Sequence, residues 1–304
     1  MNIDNLIEGI LNGDNRSIAR AISLVENSDP VSRERIIKSI YSAGNAKVIG
    51  ITGPPGVGKS TIIGNIAPML SDYGKVSILA VDPASPFSGG SIMGNRIRMQ
   101  KSLSRKGIFM RSTSNRLYNG GLSEYSWDIV KILEASGSDF IILETVGSGQ
   151  SDIDIMNIAD ITCVILAPGL GDEIQALKSG IMEIGDVFIV NKIDREGSYI
   201  AIKDIRETLN LSNKIKTPVI GINSIDIENY DKFLDYIVNW NKKNYREKYV
   251  RKLRQIVLEE IYNKYSYYID NMDYTEDTLK RDPYTTAEII IDSMNKIIDK
   301  STYK

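Results

Sequence analysis

Nine consecutive residues, Gly53, Pro54, Pro55, Gly56, Val57, Gly58, Lys59, Ser60 and Thr61, carry the plainest chemistry in this chain. They fit G-x-x-x-x-G-K-[ST] and directly follow a β-rich run, Val48–Thr52. Glycines at these places let the backbone curl until successive N–H groups face one centre, and a helix starting there adds its positive end. Such a loop cradles phosphates. Lys59 reaches the outer phosphates, and the Ser60 hydroxyl is placed to ligate Mg²⁺. A second set, Asn191-Lys192-Ile193-Asp194, follows the strand-like Val187–Val190 and matches N-K-x-D. Guanine presents two parallel N–H donors, and the Asp194 carboxylate can accept both as a charge-assisted pair. Adenine offers a lone pair where guanine has its ring proton, so it meets repulsion instead. Asn223, Ser224 and Ile225 follow the strand-like Val219–Ile222 and are placed to close over the base through their backbone.

A triphosphate site also needs carboxylates at strand ends facing the phosphate loop. Asp82 follows Val76–Val81, and Glu144 closes Phe140–Leu143, so both are candidate metal residues beside Ser60. Past Glu144 runs Thr145-Val-Gly-Ser-Gly-Gln150. Gly147 can offer its N–H to a γ-phosphate, and this loop, through Gln150, is suited to order an attacking water and to change state on hydrolysis. Arg96 and Arg98 follow Asp82 within a Gly- and Ser-rich stretch and can neutralise phosphate or sit at the surface.

The chain contains no histidine. Ser-His-Asp and Cys-His catalysis and histidine-ligated zinc are thereby excluded. The balance of 37 basic and 39 acidic residues in 304 argues against an electrostatic grip on nucleic acid. One cysteine, Cys163, makes no internal disulfide and reads as a core thiol. No stretch reaches the roughly 18 apolar residues of a membrane span. Met1–Asp4 shows neither the basic nor the apolar region of a signal peptide, and a reducing cytoplasm is the expected setting.

Short β-rich runs must position these motifs. They recur at Val48–Thr52, Val76–Val81, Ile108–Arg111, Phe140–Thr145, Ile161–Leu166, Val187–Val190 and Val219–Ile222. Helical stretches near 60–72, 94–106, 122–136, 174–183, 198–210 and 230–240 separate most of them. Continuous apolar runs such as Ile141-Ile142-Leu143 suit strands covered on both faces, and the alternation predicts an α/β fold with a doubly wound, mostly parallel sheet. Residues 1–44 read as a cap of two or three helices, 45–243 as the nucleotide domain, and 244–304 as a helical arm. In the arm Val250, Leu253, Val257, Ile261, Tyr265 and Tyr268 step by three or four along one helix face. Eleven of sixteen tyrosines lie between Tyr230 and Tyr303, a composition found in packed helices and at subunit interfaces. Trp127 and Trp240 read as packing residues.

With these motifs assembled, the chain resembles the MeaB/ArgK family of P-loop GTPases. The resemblance rests on Gly53–Thr61, Val81–Gly94, Glu144–Ser151, Gly171–Ile184 and Asn191–Gly197, with support from Leu6–Ile10, Ala21–Glu26 and Asp282–Glu288. Asp82–Gly94 is its most specific part. The resemblance implies a homodimeric chaperone of adenosylcobalamin-dependent methylmalonyl-CoA mutase that binds GTP or GDP with Mg²⁺. It would gate cofactor loading and protect the mutase. Carried over, Lys59 binds phosphate, Ser60, Asp82 and Glu144 serve magnesium and the switch, and Asp194 binds guanine. Gly171–Lys178 would be an additional switch loop whose Gln175 and Lys178 swing toward the nucleotide when the mutase is bound. Two departures stand out: Asn95 where the family has Asp, and Asn223-Ser224-Ile225 where Thr-Ser-Ala is commoner. Other readings are a protein kinase linked to amino-acid transport and a GTPase metallochaperone for nickel. The first lacks a recognisable acceptor site, and the second lacks the usual His- or Cys-rich metal motifs.

Overall fold

The computed structural model describes residues 2–27, 30–82, 103, 106–114, 122–123, 125–146, 154–169, 180–212, 214–242, 245–271 and 280–301. It divides into two compact units, Met1–Asn244 and Tyr245–Lys304. The first holds three leading helices, α1 (Ile3–Leu11), α2 (Asn15–Glu26) and α3 (Pro30–Ile40), then β1 (Lys47–Thr52), α4 (Lys59–Leu70), β2 (Val76–Asp82) and β3 (Phe109–Ser114). It continues with α5 (Ser126–Ala135), β4 (Phe140–Glu144), α6 (Ile155–Ile158), β5 (Ile161–Leu166), α7 (Ile181–Ile184), β6 (Val187–Val190), α8 (Ser198–Leu211), β7 (Val219–Gly221) and α9 (Tyr230–Asn239). The second unit contains α10 (Tyr245–Asp270) and α11 (Pro283–Ser301), the latter started by Asp282, whose carboxylate accepts the Tyr284 and Thr285 N–H groups. None of the described helices is long and apolar enough to cross a membrane.

The strands form one sheet in the order β3-β2-β4-β1-β5-β6-β7, with every pairing parallel. The chain winds outward to β3, then returns past β1 to build the other half. The carboxyl end of β1 therefore lies where the winding reverses, the place at which open α/β sheets bind ligands. Alternating residues feed opposite faces. Ile49 and Ile51 pack with Ile62, Ile63 and Ile66 of α4 and Phe233 and Ile237 of α9. Val48, Ile141 and Leu143 pack on the other face with α5 and the three leading helices. Gly50 on that second face admits α6, since a Cβ there would meet Ile155 Cδ1 at 2.7 Å.

One device recurs at the amino edge of the sheet. Asp139, Asp160 and Asp186 each stand immediately before a strand, and each carboxylate accepts a main-chain N–H from a neighbouring strand's entry. The partners are Lys75, Val48 and Thr162, all at 2.8 Å. These N–H groups open their strands and would otherwise lack a ladder partner.

The leading helices dock mainly on α5, which is buried on every side, including Asp128, Lys131 and Glu134. Charge is tolerated there because it is paired. Arg33 Nε donates to Asp128 at 2.7 Å and stacks over Tyr125; Lys131 pairs with Glu134 at 2.6 Å and faces the Tyr41 and Trp127 rings. Arg111 of β3 donates to Glu26 and Ser23 of α2. β3 also runs further than the apolar pattern of Ile108–Arg111 predicts, because its ladder with β2 continues through Ser112 and Thr113 to pair Ser114 with Asp82. Cys163 is fully buried in β5, Trp127 is buried, and Trp240 donates its indole N–H to the Asp160 carbonyl.

Candidate active site

The loop between β1 and α4 is shaped by its glycines. Gly53, Gly56 and Gly58 all have positive φ, at 139°, 81° and 99°. At Gly53 a Cβ would sit 2.1 Å from the Ile165 carbonyl oxygen, so no larger residue fits against β5. At Gly58 a Cβ would sit 2.4 Å from Asn191 Nδ2. Gly58 is the N-cap of α4, leaving that helix's first N–H groups and its positive end directed at the loop. Lys59 is buried, and its ammonium donates to the carbonyls of Gly53 (2.6 Å) and Pro54 (3.2 Å). It thus sits inside the loop it would share with a phosphate.

Ser60 Oγ donates to Glu144 Oε1 at 2.9 Å, bringing together a hydroxyl from α4 and a carboxylate from the end of β4. Two hard oxygen donors converging in this way fit Mg²⁺ chemistry. Next to them Thr145 Oγ1 donates to Thr52 Oγ1 at 2.9 Å, and Thr145 N donates to Ile51 O at 3.1 Å. Thr145, the residue after β4, is therefore tied to the last residue before the phosphate loop. Asp82 ends β2, two strands from β1, and its backbone pairs with Ser114; its side chain lies outside the described residues. So do Gln150, Lys178, Gly147, Asn95, Arg96, Arg98, Gln175 and the whole Gly171–Lys178 loop.

The base-side motif meets the phosphate loop through one side chain. Asn191 is fully buried at the end of β6. Its Nδ2 donates to Val57 O at 2.8 Å, while Oδ1 accepts from Lys192 N at 2.8 Å and Ser224 N at 3.1 Å. Lys192, at φ 61°, turns back so that its ammonium donates to Gly56 O at 2.9 Å. Asp194 follows in the turn with its side chain exposed, available to an incoming ring. Asn223 is buried; its Oδ1 accepts from Ile225 N at 3.0 Å and its Nδ2 donates to Asp226 Oδ2 at 2.6 Å. Ile225, by contrast, exposes its side chain.

Sequence reasoning passed over three residues that stand behind this arrangement: Thr52, Asn65 and Tyr230. Asn65 lies among Ile62, Ile63, Ile66 and Ala67 of α4, and an amide among such neighbours needs polar partners. It finds Ser224 O at 2.8 Å and Tyr230 Oη at 3.2 Å. Burial holds the Tyr230 phenol above its ordinary value, with the bond from Asn65 opposing.

A family model described as methylmalonyl-CoA mutase-associated GTPase MeaB matches residues 18–276. A Pyrococcus horikoshii protein named as a GTPase is 38% identical over 315 residues, covering 96% of this chain and 98% of the relative. GTPase ArgK of Escherichia coli is 35% identical over 193 residues, 62% of this chain and 58% of its own. A Caenorhabditis elegans protein named methylmalonic aciduria type A homolog, mitochondrial, is 33% identical over 209 residues, 64% of this chain and 52% of its own. Among solved structures, one described as LAO/AO transport system kinase aligns over 96% of this chain and 97% of its own with a TM-score of 0.70 at 22% identity, a likeness of fold.

Proposed function

The chain is a GTPase belonging to the MeaB family, and we propose that it acts as a GTP-driven chaperone of adenosylcobalamin-dependent methylmalonyl-CoA mutase. It would gate cofactor loading and protect the mutase from inactivation. The family description and the name of the C. elegans relative support the client, while the observation that carries the nucleotide half is Asn191. One buried amide joins the phosphate loop at Val57, the base motif at Lys192 and the closing loop at Ser224. Such an arrangement suits a ligand with a polyanion at one end and a purine at the other.

Hydrolysis here would proceed by positioning and electrostatics, without a strong general base. Lys59 would exchange its two carbonyl acceptors for phosphate oxygens, gaining charge-assisted bonds. The α4 N-terminus and the loop N–H groups would hold the remaining charge. Ser60 and Glu144, with Asp82, would hold Mg²⁺, which when bound neutralises charge on the outer phosphates. The loop from Glu144 to Gln150 would order the attacking water. Among the described residues no arginine is committed to the site in cis, so turnover alone would be slow and the partner would accelerate it, drawing in Lys178 and Gln175. The nucleotide would be GTP or GDP in a cytoplasmic, homodimeric protein.

Nucleotide-dependent co-purification with the cobalamin mutase of the same organism tests the client. Retention that differs between GDP and a non-hydrolysable GTP analogue is expected. No retention with either would remove the mutase role and leave the GTPase.

A further inference from the structure

The closing loop after β7 is held by asparagines from separate elements, and one of them belongs to the phosphate helix. Ser224 has both backbone groups engaged: its N–H donates to Asn191 Oδ1 at 3.1 Å and its carbonyl accepts from Asn65 Nδ2 at 2.8 Å. The amide orientation of Asn65 is dictated chemically. Ser224 O accepts only, so the NH₂ group must face it, and the second proton goes to Tyr230 Oη at 3.2 Å. In a trans peptide the carbonyl and the following N–H point in opposite directions. Drawing the Ser224 carbonyl toward α4 therefore turns the Ile225 N–H away from α4, where Asn223 Oδ1 meets it at 3.0 Å. That peptide unit is the one through which the loop would close over a base.

We infer that Asn65 is a positioning residue for purine recognition, coupling the helix that carries Lys59 and Ser60 to the loop that carries Ser224 and Ile225. Asn65 lies six residues beyond Lys59 on one helix, a distance of about 9 Å along the axis. A single rigid element thus fixes the phosphate end and the base end of the ligand relative to each other. Asn65 touches neither end itself. Its loss removes the carbonyl anchor of the Ser224–Ile225 peptide and leaves the Ile225 N–H bond to Asn223 Oδ1, so the peptide is held less firmly, which weakens the hold on the base and leaves the phosphate chemistry unaltered. The inference rests on the guanine reading of Asp194 and adds a residue that belongs to neither motif.

The test uses the full chain with Mg²⁺ and a fluorescent GDP analogue. Asn65→Ala should release the analogue about three- to tenfold faster, the loss of the neutral hydrogen bond to Ser224. KM for GTP should rise by a similar factor at unchanged kcat. Asn65→Asp has the shape of the parent but cannot donate and sets a carboxylate against the Ser224 carbonyl, so it should release faster than Asn65→Ala. A residue that merely fills space would give the opposite order, with Asp close to the parent and Ala worst. Tyr230→Phe, which leaves the Ser224 bond intact, should stay within about twofold of the parent. Parent-like release by both folded Asn65 variants would overturn the inference, as would an effect confined to kcat. A parent chain that binds the GDP analogue no better than its ADP counterpart would overturn the guanine reading itself, and the inference with it.

Discussion

On the proposed reading Asp194 would carry the choice of purine, because each charged hydrogen bond it made to guanine would contribute about 1.5–3 kcal/mol. Asp194→Asn keeps the shape but offers one acceptor and a donor where two donors from guanine must be met. GTP affinity should fall at least about tenfold, with xanthosine triphosphate, whose 2-position is a carbonyl, gaining relative to GTP. Competition binding across GTP, XTP and ATP measures this, and equal GTP and ATP affinity in the parent would discard the assignment. Lys59 would stand on the phosphate side of the same ligand. Its ammonium is buried within the loop on two carbonyls, so Lys59→Ala removes that charge from the loop. GTP turnover should drop to background in a folded chain, and retained hydrolysis would reject the phosphate role.

At the scale of elements, the aspartates that precede strands differ in what they protect. Asp160 satisfies the buried Val48 N–H, whereas Asp139 satisfies an exposed Lys75 N–H that water can reach. Asp160→Ala should cost about 1–3 kcal/mol, and Asp139→Ala clearly less. Urea unfolding midpoints at unchanged slope would show the difference, and equal midpoints would contradict it. Tyr236 of α9 clamps the same edge, donating to the Asp186 carbonyl at 3.3 Å. Burial, then the nearby Asp186 and Cys163, push its phenol up to about 12 from 10.0. The folded chain holds that proton more tightly than the unfolded one, so the stability it contributes is lost as pH climbs from 10 toward 12. Tyr236→Phe should flatten that part of an alkaline stability profile.

These elements also show what was readable beforehand. The parallel strands were legible because buried runs such as Ile141–Leu143 and Ile161–Leu166 leave no solvent face. The phosphate loop and N-K-x-D were legible because their chemistry is local in sequence. Asn65 meeting Ser224 spans 159 positions, and Arg33 meeting Asp128 spans 95. Contacts of that separation are fixed by topology, which no local spacing reports. The full burial of α5 escaped for the same reason, since its charges look surface-like until the leading helices cover them.

At the scale of the whole molecule, the second unit carries a half-exposed apolar stripe. Along α10, Val250, Leu253, Val257 and Ile261 are 51%, 43%, 46% and 47% exposed, and an apolar groove continues past Leu258 and Ile261 to Tyr265 and Ile269. A contiguous stripe of this kind is costly to leave bare and is the usual mark of an interface. A second copy of the chain is the occupant the homodimer reading supplies. Val257→Glu combined with Ile261→Glu separates this from a purely internal role for the stripe. In a lone chain both positions are half exposed, so the charges are tolerated and the fold survives. In a dimer they would be buried unpaired at several kcal/mol each, weakening association at least about a hundredfold. Sedimentation of the parent should give a dimer at micromolar concentration, and the double variant a monomer. The phosphate and base residues all lie within Met1–Asn244, so GTP hydrolysis per chain should stay within about twofold in the separated form. A parent that sediments as a monomer would refute the interface, and a variant that unfolds would place the stripe in a core.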